Sequence, residues 1–252
     1  MTDSNRTLRF SVIGDSICSF AGSIPEGNKV YYTGQNSGVA SASQMWWSVL
    51  SRELSLEPLL IQAWSGSTVT EGVRDPAVYR PASDPRCCQC LHRGETEPDV
   101  ILIAMGVNDY SYGAPIGSWD GRTPLAGDAS TFRSAYGTML ERIHERYPFA
   151  LTVCLTPWFM QRGRDTGACY VNEPWGLTAE DYGRAVTEVA HLLGAPVIDA
   201  THIGFTRWNF YAADGSRYCE DTPARPTHPN ARGQHVMGLA VARALAPLLP
   251  GT

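Results

Sequence analysis

The amino-acid sequence predicts an α/β fold with a mainly parallel five-stranded sheet covered by helices on both faces. Five short apolar runs with the composition of buried strands recur along the chain, and amphipathic helical patterns lie between them. Strands that alternate with helices form crossover units, which make neighbouring strands parallel. The length of 252 residues suits a single α/β domain, and we therefore expect one domain over residues 1–252.

The predicted strands are short runs dominated by Val, Ile, Leu and Ala. The first contains Phe10, Val12 and Ile13 and stops at Gly14 without a hairpin turn, which is typical of a strand that leads into a crossover. The five runs cover 8–13, 58–63, 100–105, 150–155 and 196–199.

The predicted helices follow from apolar stripes with helical spacing and from residues that favour helix ends. One runs from Ser130 to Tyr147, just before Pro148. Another begins at Thr178 and ends at Gly194, which suits a left-handed cap. A third follows Pro229, and the pair Trp46-Trp47 is expected to begin the first helix and pack inward.

Charge and composition exclude several classes of function. The net charge is −5, and the 20 basic residues include a single lysine and form no run that could track a line of phosphates, so we expect no nucleic-acid partner. The polar first ten residues leave no room for a secretory signal, and no apolar run approaches membrane-spanning length. Seven cysteines suit a reducing compartment. These features predict a cytoplasmic protein that does not bind membranes, and they leave its oligomeric state open.

Four short motifs are expected at one edge of the sheet. Three follow the first three predicted strands directly: Gly14-Asp15-Ser16, the segment WSGS at 64–67, and GVND at 106–109. The fourth, THPN at 227–230, opens the final helix, where we expect Pro229 at the first helical position. Because ligands of open α/β sheets bind beyond the carboxyl ends of the strands, this edge is the predicted site.

The side chains of these motifs suit acyl transfer. Ser16 is a candidate nucleophile and His228 a candidate base. The backbone N–H groups of Ser16 and Gly66 and the amide of Asn108 are candidate donors to an oxyanion. Gly14 would permit a turn that a side chain would crowd, and we expect Asp15 to accept hydrogen bonds from the loop.

The four motifs together resemble those of SGNH hydrolases of the GDSL esterase/lipase family, whose conserved blocks carry Ser, Gly, Asn and His. The matching segments are GDSI (14–17), Gly66 in WSGST, GVND (106–109) and THPN (227–230), in family order. The resemblance implies a three-layer flavodoxin-like fold, serine hydrolysis without a cofactor or metal, and ester or occasionally amide substrates.

The chain departs from the family pattern at the acid that orients the histidine. The usual pattern has Asp three residues before His, where this chain has Arg225. Asp221 is our candidate acid, Glu220 a weaker one, and a Ser-His dyad without an acid stays open. The sequence Asp199-Ala-Thr-His202 matches D-x-x-H, but it directly follows a strand and lacks the His-Pro step, so we assign it no catalytic role.

Aromatic side chains near the predicted edge are candidates for substrate contact. We select Trp64, Tyr110 and Trp158 as substrate-binding residues; Tyr112 and Trp119 also fall near this edge.

The segment 87–92 carries three cysteines and a histidine. Its spacing differs from the paired knuckles of structural zinc, so partly buried thiols are expected instead. Cys18 is expected to be a small buried apolar side chain.

The sequence thus predicts a serine esterase for a small-molecule substrate, with short acyl groups such as acetyl esters of a sugar. The alternative is a non-catalytic flavodoxin-like binding or metal-sensing module that uses Cys87 to His92.

Overall fold

The computed structural model contains a parallel sheet with the strand order β2-β1-β3-β4-β5, which confirms the predicted α/β class. It describes residues 6–35, 38–158, 171–172, 174–206, 208–210, 217–219 and 227–249. The strands are β1 (Arg9–Gly14), β2 (Glu57–Ala63), β3 (Val100–Ala104), β4 (Leu151–Leu155) and β5 (Val197–Ile198).

The helices form two layers, one on each face of the sheet. They are α1 (Trp46–Leu54), α2 (Pro85–Cys88), α3 (Val107–Tyr112), α4 (Phe132–Arg146), α5 (Ala179–Leu192) and α6 (Ala231–Leu245). Helix α1 packs on α6, and α4 packs on α5 and α2. Right-handed crossovers explain this division, because the chain moves along the sheet from β1 to β2 in one direction and from β2 to β3, β4 and β5 in the other. None of the helices within the described segments is long and apolar enough to cross a membrane.

Most helix ends agree with the sequence. Thr131 and Ser134 form a capping box at the start of α4, and Thr178 does the same with Asp181 at α5. Gly194 has a φ of 75° just beyond α5, as expected for a left-handed cap.

One local expectation was wrong. Helix α6 begins at Ala231, and the side chain of Asn230 caps it by accepting hydrogen bonds from Arg232 and Gly233, so Pro229 lies before the cap and not at the first helical position. The short helix α3 begins three residues after the end of β3.

The register of the sheet brings three predicted motifs to one place. Gly14 at the end of β1 is paired with Ala63 of β2 and Ala104 of β3. Asp15, Trp64 and Met105 are therefore the first residues beyond the same edge. The central strands that support this edge belong to the core, because every residue of β3, and every residue of β1 except Arg9, is buried.

Candidate active site

Ser16 and His228 lie in direct contact at this edge, although 212 positions separate them in sequence. The Nε2 atom of His228 is 2.9 Å from the Oγ atom of Ser16. Ser16 begins a single 3-10 turn, Ser16–Cys18, and is 5% exposed. A serine within hydrogen-bond distance of an imidazole is the arrangement in which the imidazole can remove the hydroxyl proton.

The turn that carries Ser16 depends on its two preceding residues. The N–H of Ile17 donates to the Asp15 carboxylate at 2.9 Å, which caps the turn as expected. A Cβ atom on Gly14 would overlap the side chain of Cys18. The prediction that a side chain at Gly14 would crowd this turn is therefore confirmed, and so is the burial of Cys18.

His228 is held by two tyrosines that sequence reasoning missed. Its ring stacks on Tyr31 with centroids 3.4 Å apart and planes inclined by 12°. The ring of Tyr32 approaches it edge-on, and the Tyr32 hydroxyl donates to the carbonyl of Pro229 at 2.7 Å. The side-chain amide of Gln234 in α6 contacts the same hydroxyl at 3.1 Å. These contacts fix both the plane of the imidazole and the backbone next to it.

The candidate oxyanion donors lie on the segments that directly follow β1, β2 and β3. Within the described segments, the backbone N–H groups of Ser16 and Gly66 have no hydrogen-bond acceptor, so both are available to a ligand. Gly66 has a φ of 83°, a conformation that favours glycine. Its carbonyl accepts a hydrogen bond from Nη1 of Arg74 at 2.8 Å.

Asn108 is positioned by two hydrogen bonds from its amide nitrogen. Nδ2 donates to the carbonyl of Ser67 at 2.9 Å and to the carboxylate of Asp15 at 3.3 Å. Because both N–H groups are engaged, Asn108 would have to give up one of these bonds to donate to an oxyanion, and the longer contact with Asp15 is the weaker.

Two buried carboxyl groups support the loops of the site. Asp109 accepts hydrogen bonds from the backbone of Val69 and from both the backbone and hydroxyl of Thr70, which attaches α3 to the loop after β2. Burial raises the pKa of Asp109. Burial also raises the pKa of Asp15 to about 7, with a smaller contribution from the charge of Asp109.

The aromatic residues selected for substrate contact differ in how deeply they are buried. Tyr110 is fully buried against Tyr182, and Trp158 is 3% exposed against Trp46, so the expectation that these two contact a substrate is not supported by their positions. Both rings complete the core instead. Trp64 is half-buried at the end of β2.

The cysteine cluster does not converge on a common point. Cys87 and Cys88 are buried, Cys90 is exposed, and the ring of His92 contacts the hydroxyl of Tyr147 at 2.9 Å. Burial raises the pKa of Cys87 and of Cys88 to about 12, which disfavours the thiolate that a metal requires. Among the described residues, no group of three or more His, Cys, Asp or Glu side chains could hold a metal ion.

The remaining acidic and basic residues considered for the site are Asp199 and His202, which the structure describes, and three residues that lie outside its described segments. Asp199 accepts hydrogen bonds from the backbone of Thr201 and His202 and pairs with the His202 ring at 2.8 Å, as a strand-ending carboxylate should. Asp221, Glu220 and Arg225 lie outside the described residues.

Sequence reasoning missed Tyr31, Arg74 and Asp109 as supports of the site. Tyr31 and Arg74 lie in loops without periodicity, where no pattern indicates which side chain turns inward. Asp109 carried a usable signal, because it ends a motif that directly follows a buried strand.

A parallel α/β sheet with a serine-histidine pair beside free backbone N–H groups is the arrangement typical of hydrolases that act through a serine. Residues 8–160 match the family model described as GDSL-like Lipase/Acylhydrolase, which is more than half of the chain. The chain belongs to this family and is a hydrolase of ester bonds. Comparison with curated protein sequences gives no match.

Solved structures with the same fold are similar over nearly the whole chain. A protein from Bacteroides uniformis described as a GDSL-like lipase has a TM-score of 0.70 at 22% identity, with 96% of this chain and 97% of that chain covered. The aryl esterase of M. smegmatis has a TM-score of 0.59 at 16% identity, covering 96% of this chain and 100% of that one. A salicylyl-acyltransferase from a tetracycline biosynthetic pathway has a TM-score of 0.59 at 20% identity, covering 98% of this chain and 56% of that one.

Proposed function

We propose that the protein hydrolyses carboxylic esters through an acyl-enzyme formed on Ser16. The observation that carries this proposal is the 2.9 Å contact between Ser16 Oγ and His228 Nε2 at the edge where β1, β2 and β3 end. Family membership supports ester hydrolysis, and the contact supports this particular pair as its nucleophile and base.

In the first half of the reaction, Ser16 Oγ attacks the ester carbonyl carbon while His228 Nε2 takes the hydroxyl proton. The carbonyl oxygen gains negative charge and accepts hydrogen bonds from the N–H groups of Ser16 and Gly66 and from Asn108. Collapse of this intermediate breaks the bond to the alcohol oxygen, and His228 returns the proton to the leaving alcohol. The acyl group remains on Ser16.

In the second half, His228 removes a proton from a water molecule that attacks the acyl carbon. The same donors hold the second oxyanion, the acyl-oxygen bond to Ser16 breaks, and the serine recovers its proton from His228. The products are the carboxylic acid and the alcohol, and no redox step or cofactor is needed.

For the group that orients His228 we retain Asp221 as the candidate, with a Ser-His dyad as the alternative. An Asp221→Asn enzyme should lose much of its kcat if the carboxylate holds the imidazole tautomer, whereas Arg225→Ala should chiefly alter KM or stability. A wild-type kcat in Asp221→Asn would favour the dyad.

The proposed substrates are short-acyl esters, acetyl-type, of a sugar or another small molecule. The names of two similar structures refer to aryl esters and to transfer of an aromatic acyl group, which extends the proposal to aryl compounds. A series of p-nitrophenyl esters of increasing acyl length tests this, and a preference for eight carbons or more would overturn the short-acyl assignment.

The central test compares Ser16→Ala with the wild type on p-nitrophenyl acetate. Loss of nucleophile function should reduce kcat by several orders of magnitude. Ser43→Ala, the same change at an exposed serine, serves as the control and should keep wild-type activity. Undiminished hydrolysis by Ser16→Ala would show that another group is the nucleophile.

A further inference from the structure

A group of cationic and aromatic side chains lies directly against the glycine of the candidate oxyanion site. We call Lys29, Trp64, Arg74, Tyr79 and Arg80 the Gly66 cluster. A Cβ atom added to Gly66 would overlap Nη1 of Arg74 and would lie 2.7 Å from a ring carbon of Tyr79. Arg74 and Tyr79 are therefore within van der Waals reach of the backbone that would bind the substrate's carbonyl oxygen.

Arg74 is held rigidly within this cluster. Its guanidinium carbon lies 3.3 Å from the ring centroid of Tyr79 and 4.0 Å from that of Tyr112, while Nη1 donates to the Gly66 carbonyl. A guanidinium stacked on aromatic rings and fixed by a hydrogen bond loses little further conformational entropy when an anion binds its remaining N–H groups.

Two further cations extend the positive charge. The ammonium group of Lys29, the only lysine of the chain, lies 4.3 Å from the Tyr79 ring centroid and 3.0 Å from the Tyr79 hydroxyl. The guanidinium carbon of Arg80 lies 4.8 Å from the ring of Trp64. The surface beside Trp64 therefore combines an aromatic ring with a positive charge.

No carboxylate of the described segments neutralises these three cations by an ion pair. Asp84 is close enough to Arg80 for the guanidinium to lower its pKa, but its carboxylate is bound by Arg86 at 2.6 Å. Elsewhere in the same segments arginines do pair with carboxylates: Arg6, Arg9, Arg86, Arg122, Arg133, Arg146 and Arg184. A local excess of positive charge in a chain of net charge −5 indicates a site for an external anion.

We propose that the Gly66 cluster binds a carboxylate carried by the ester substrate. This inference rests on the proposed function and narrows its substrate class from neutral short-acyl esters to esters with an anionic substituent near the scissile bond. Lys29 and Arg80 attract the carboxylate, and Arg74 orients it relative to the oxyanion donors.

The test uses two pairs of matched esters. p-Nitrophenyl glutarate and p-nitrophenyl pentanoate differ by a carboxylate on the acyl side, and 4-acetoxybenzoate and its methyl ester differ by a carboxylate on the alcohol side. At low salt we expect kcat/KM for the charged member of one pair to exceed that of its neutral partner by about tenfold, and the ratio to fall as sodium chloride is added.

The charged-to-neutral ratio should fall several-fold in Lys29→Gln and in Arg80→Gln. Arg146→Gln removes the same net charge at the opposite edge of the sheet, where Arg146 pairs with Glu97 shortly before β3, and should leave the ratio unchanged. A wild-type ratio near one in both pairs, or a ratio that Lys29→Gln and Arg80→Gln do not alter, would overturn the inference. The proposed function would still hold in that case if the wild type hydrolysed the neutral esters and Ser16→Ala did not.

If the wild type hydrolyses none of the four esters, the cluster is tested by binding alone, and the proposed function fails if p-nitrophenyl acetate is not hydrolysed either. Calorimetric titration with 4-acetamidobenzoate and with its methyl ester would then be compared in the wild type and Lys29→Gln. Tighter binding of the carboxylate that Lys29→Gln weakens supports the inference, and equal or undetectable binding of the two compounds refutes it.

Discussion

The imidazole of His228 lies flat on the phenol ring of Tyr31, with centroids 3.4 Å apart. The backbone of Tyr31 is linked by hydrogen bonds to the turn that carries Ser16. The backbone N–H of Tyr31 donates to the hydroxyl of Ser19, which in turn donates to the carbonyl of Ser16. The proposed base and nucleophile therefore share one support, and their separation depends on the loop that carries Tyr31.

Removing the ring of Tyr31 should impair catalysis more than substrate binding. Stacked aromatic pairs contribute about 0.5–1.5 kcal/mol beyond burial, so Tyr31→Ala should reduce kcat by about three- to tenfold with a smaller change in KM. Tyr31→Phe retains the ring and should remain close to the wild type. Equal losses in the two variants would mean that the hydroxyl, and not the stacking, supports His228.

Asn108 should be required for the rate of the chemical step. Asn108→Asp keeps the size of the side chain but removes the N–H donors, and loss of an oxyanion donor typically costs 10²–10³ in kcat, about 3–4 kcal/mol. The bond to Ser67 is lost as well, so thermal unfolding must be measured beside steady-state kinetics. A folded Asn108→Asp enzyme with near-wild-type kcat would remove Asn108 from the proposed oxyanion site.

Gly66 and Gly72 offer a matched pair in one loop. Both have positive φ values, 83° and 76°, but a Cβ atom would meet Arg74 and Tyr79 at Gly66 and no atom within 4 Å at Gly72. Gly66→Ala and Gly72→Ala should share a backbone cost of about 1 kcal/mol, and Gly66→Ala should lose a further 1–3 kcal/mol of stability, about the cost of overpacking, together with kcat. Equal effects of the two substitutions on activity would show that contact with Arg74 and Tyr79 is unimportant.

Asp15 should make the stability of the fold depend on pH. Burial raises its pKa from 3.8 to about 7, so the folded protein holds this proton more tightly than the unfolded chain. The contribution of Asp15 to the free energy of unfolding is therefore fully present below about pH 4 and falls as the pH rises to about 7, with a slope of at most about 1.4 kcal/mol per pH unit.

Urea denaturation at pH 5 and pH 7 measures this dependence. In Asp15→Asn, which does not titrate, the difference in unfolding free energy between the two pH values should shift in favour of pH 7 relative to the wild type. The pKa of Asp109 is raised in the same direction, so part of the dependence should remain. The same difference in wild type and variant would show that Asp15 does not titrate in this range.

Features that depend on short stretches of sequence were predictable. The ends of the four longer strands were predicted to within one residue, because continuous apolar runs indicate burial on both faces of a parallel sheet. The end of α4 followed from Pro148, and the two ends of α5 followed from Thr178 and Gly194. The fifth strand is shorter than predicted, Val197–Ile198, because the carboxylate of Asp199 accepts a hydrogen bond from the backbone N–H of Thr201 and so begins a turn.

The sequence by itself determined the class of fold, the edge of the sheet where polar motifs collect, and the candidates Ser16, Gly66, Asn108 and His228, since each depends on a motif of a few adjacent residues. Only the tertiary structure decided that His228 reaches Ser16 and that Tyr31 stacks on its ring. It also decided that Tyr110 and Trp158 are buried, and that Arg74 contacts Gly66 while Lys29 and Arg80 lie on neighbouring aromatic rings. The physical reason is that these relationships join loops far apart in sequence, and the direction of a loop side chain is set by packing and hydrogen bonding with distant partners, which no local periodicity records.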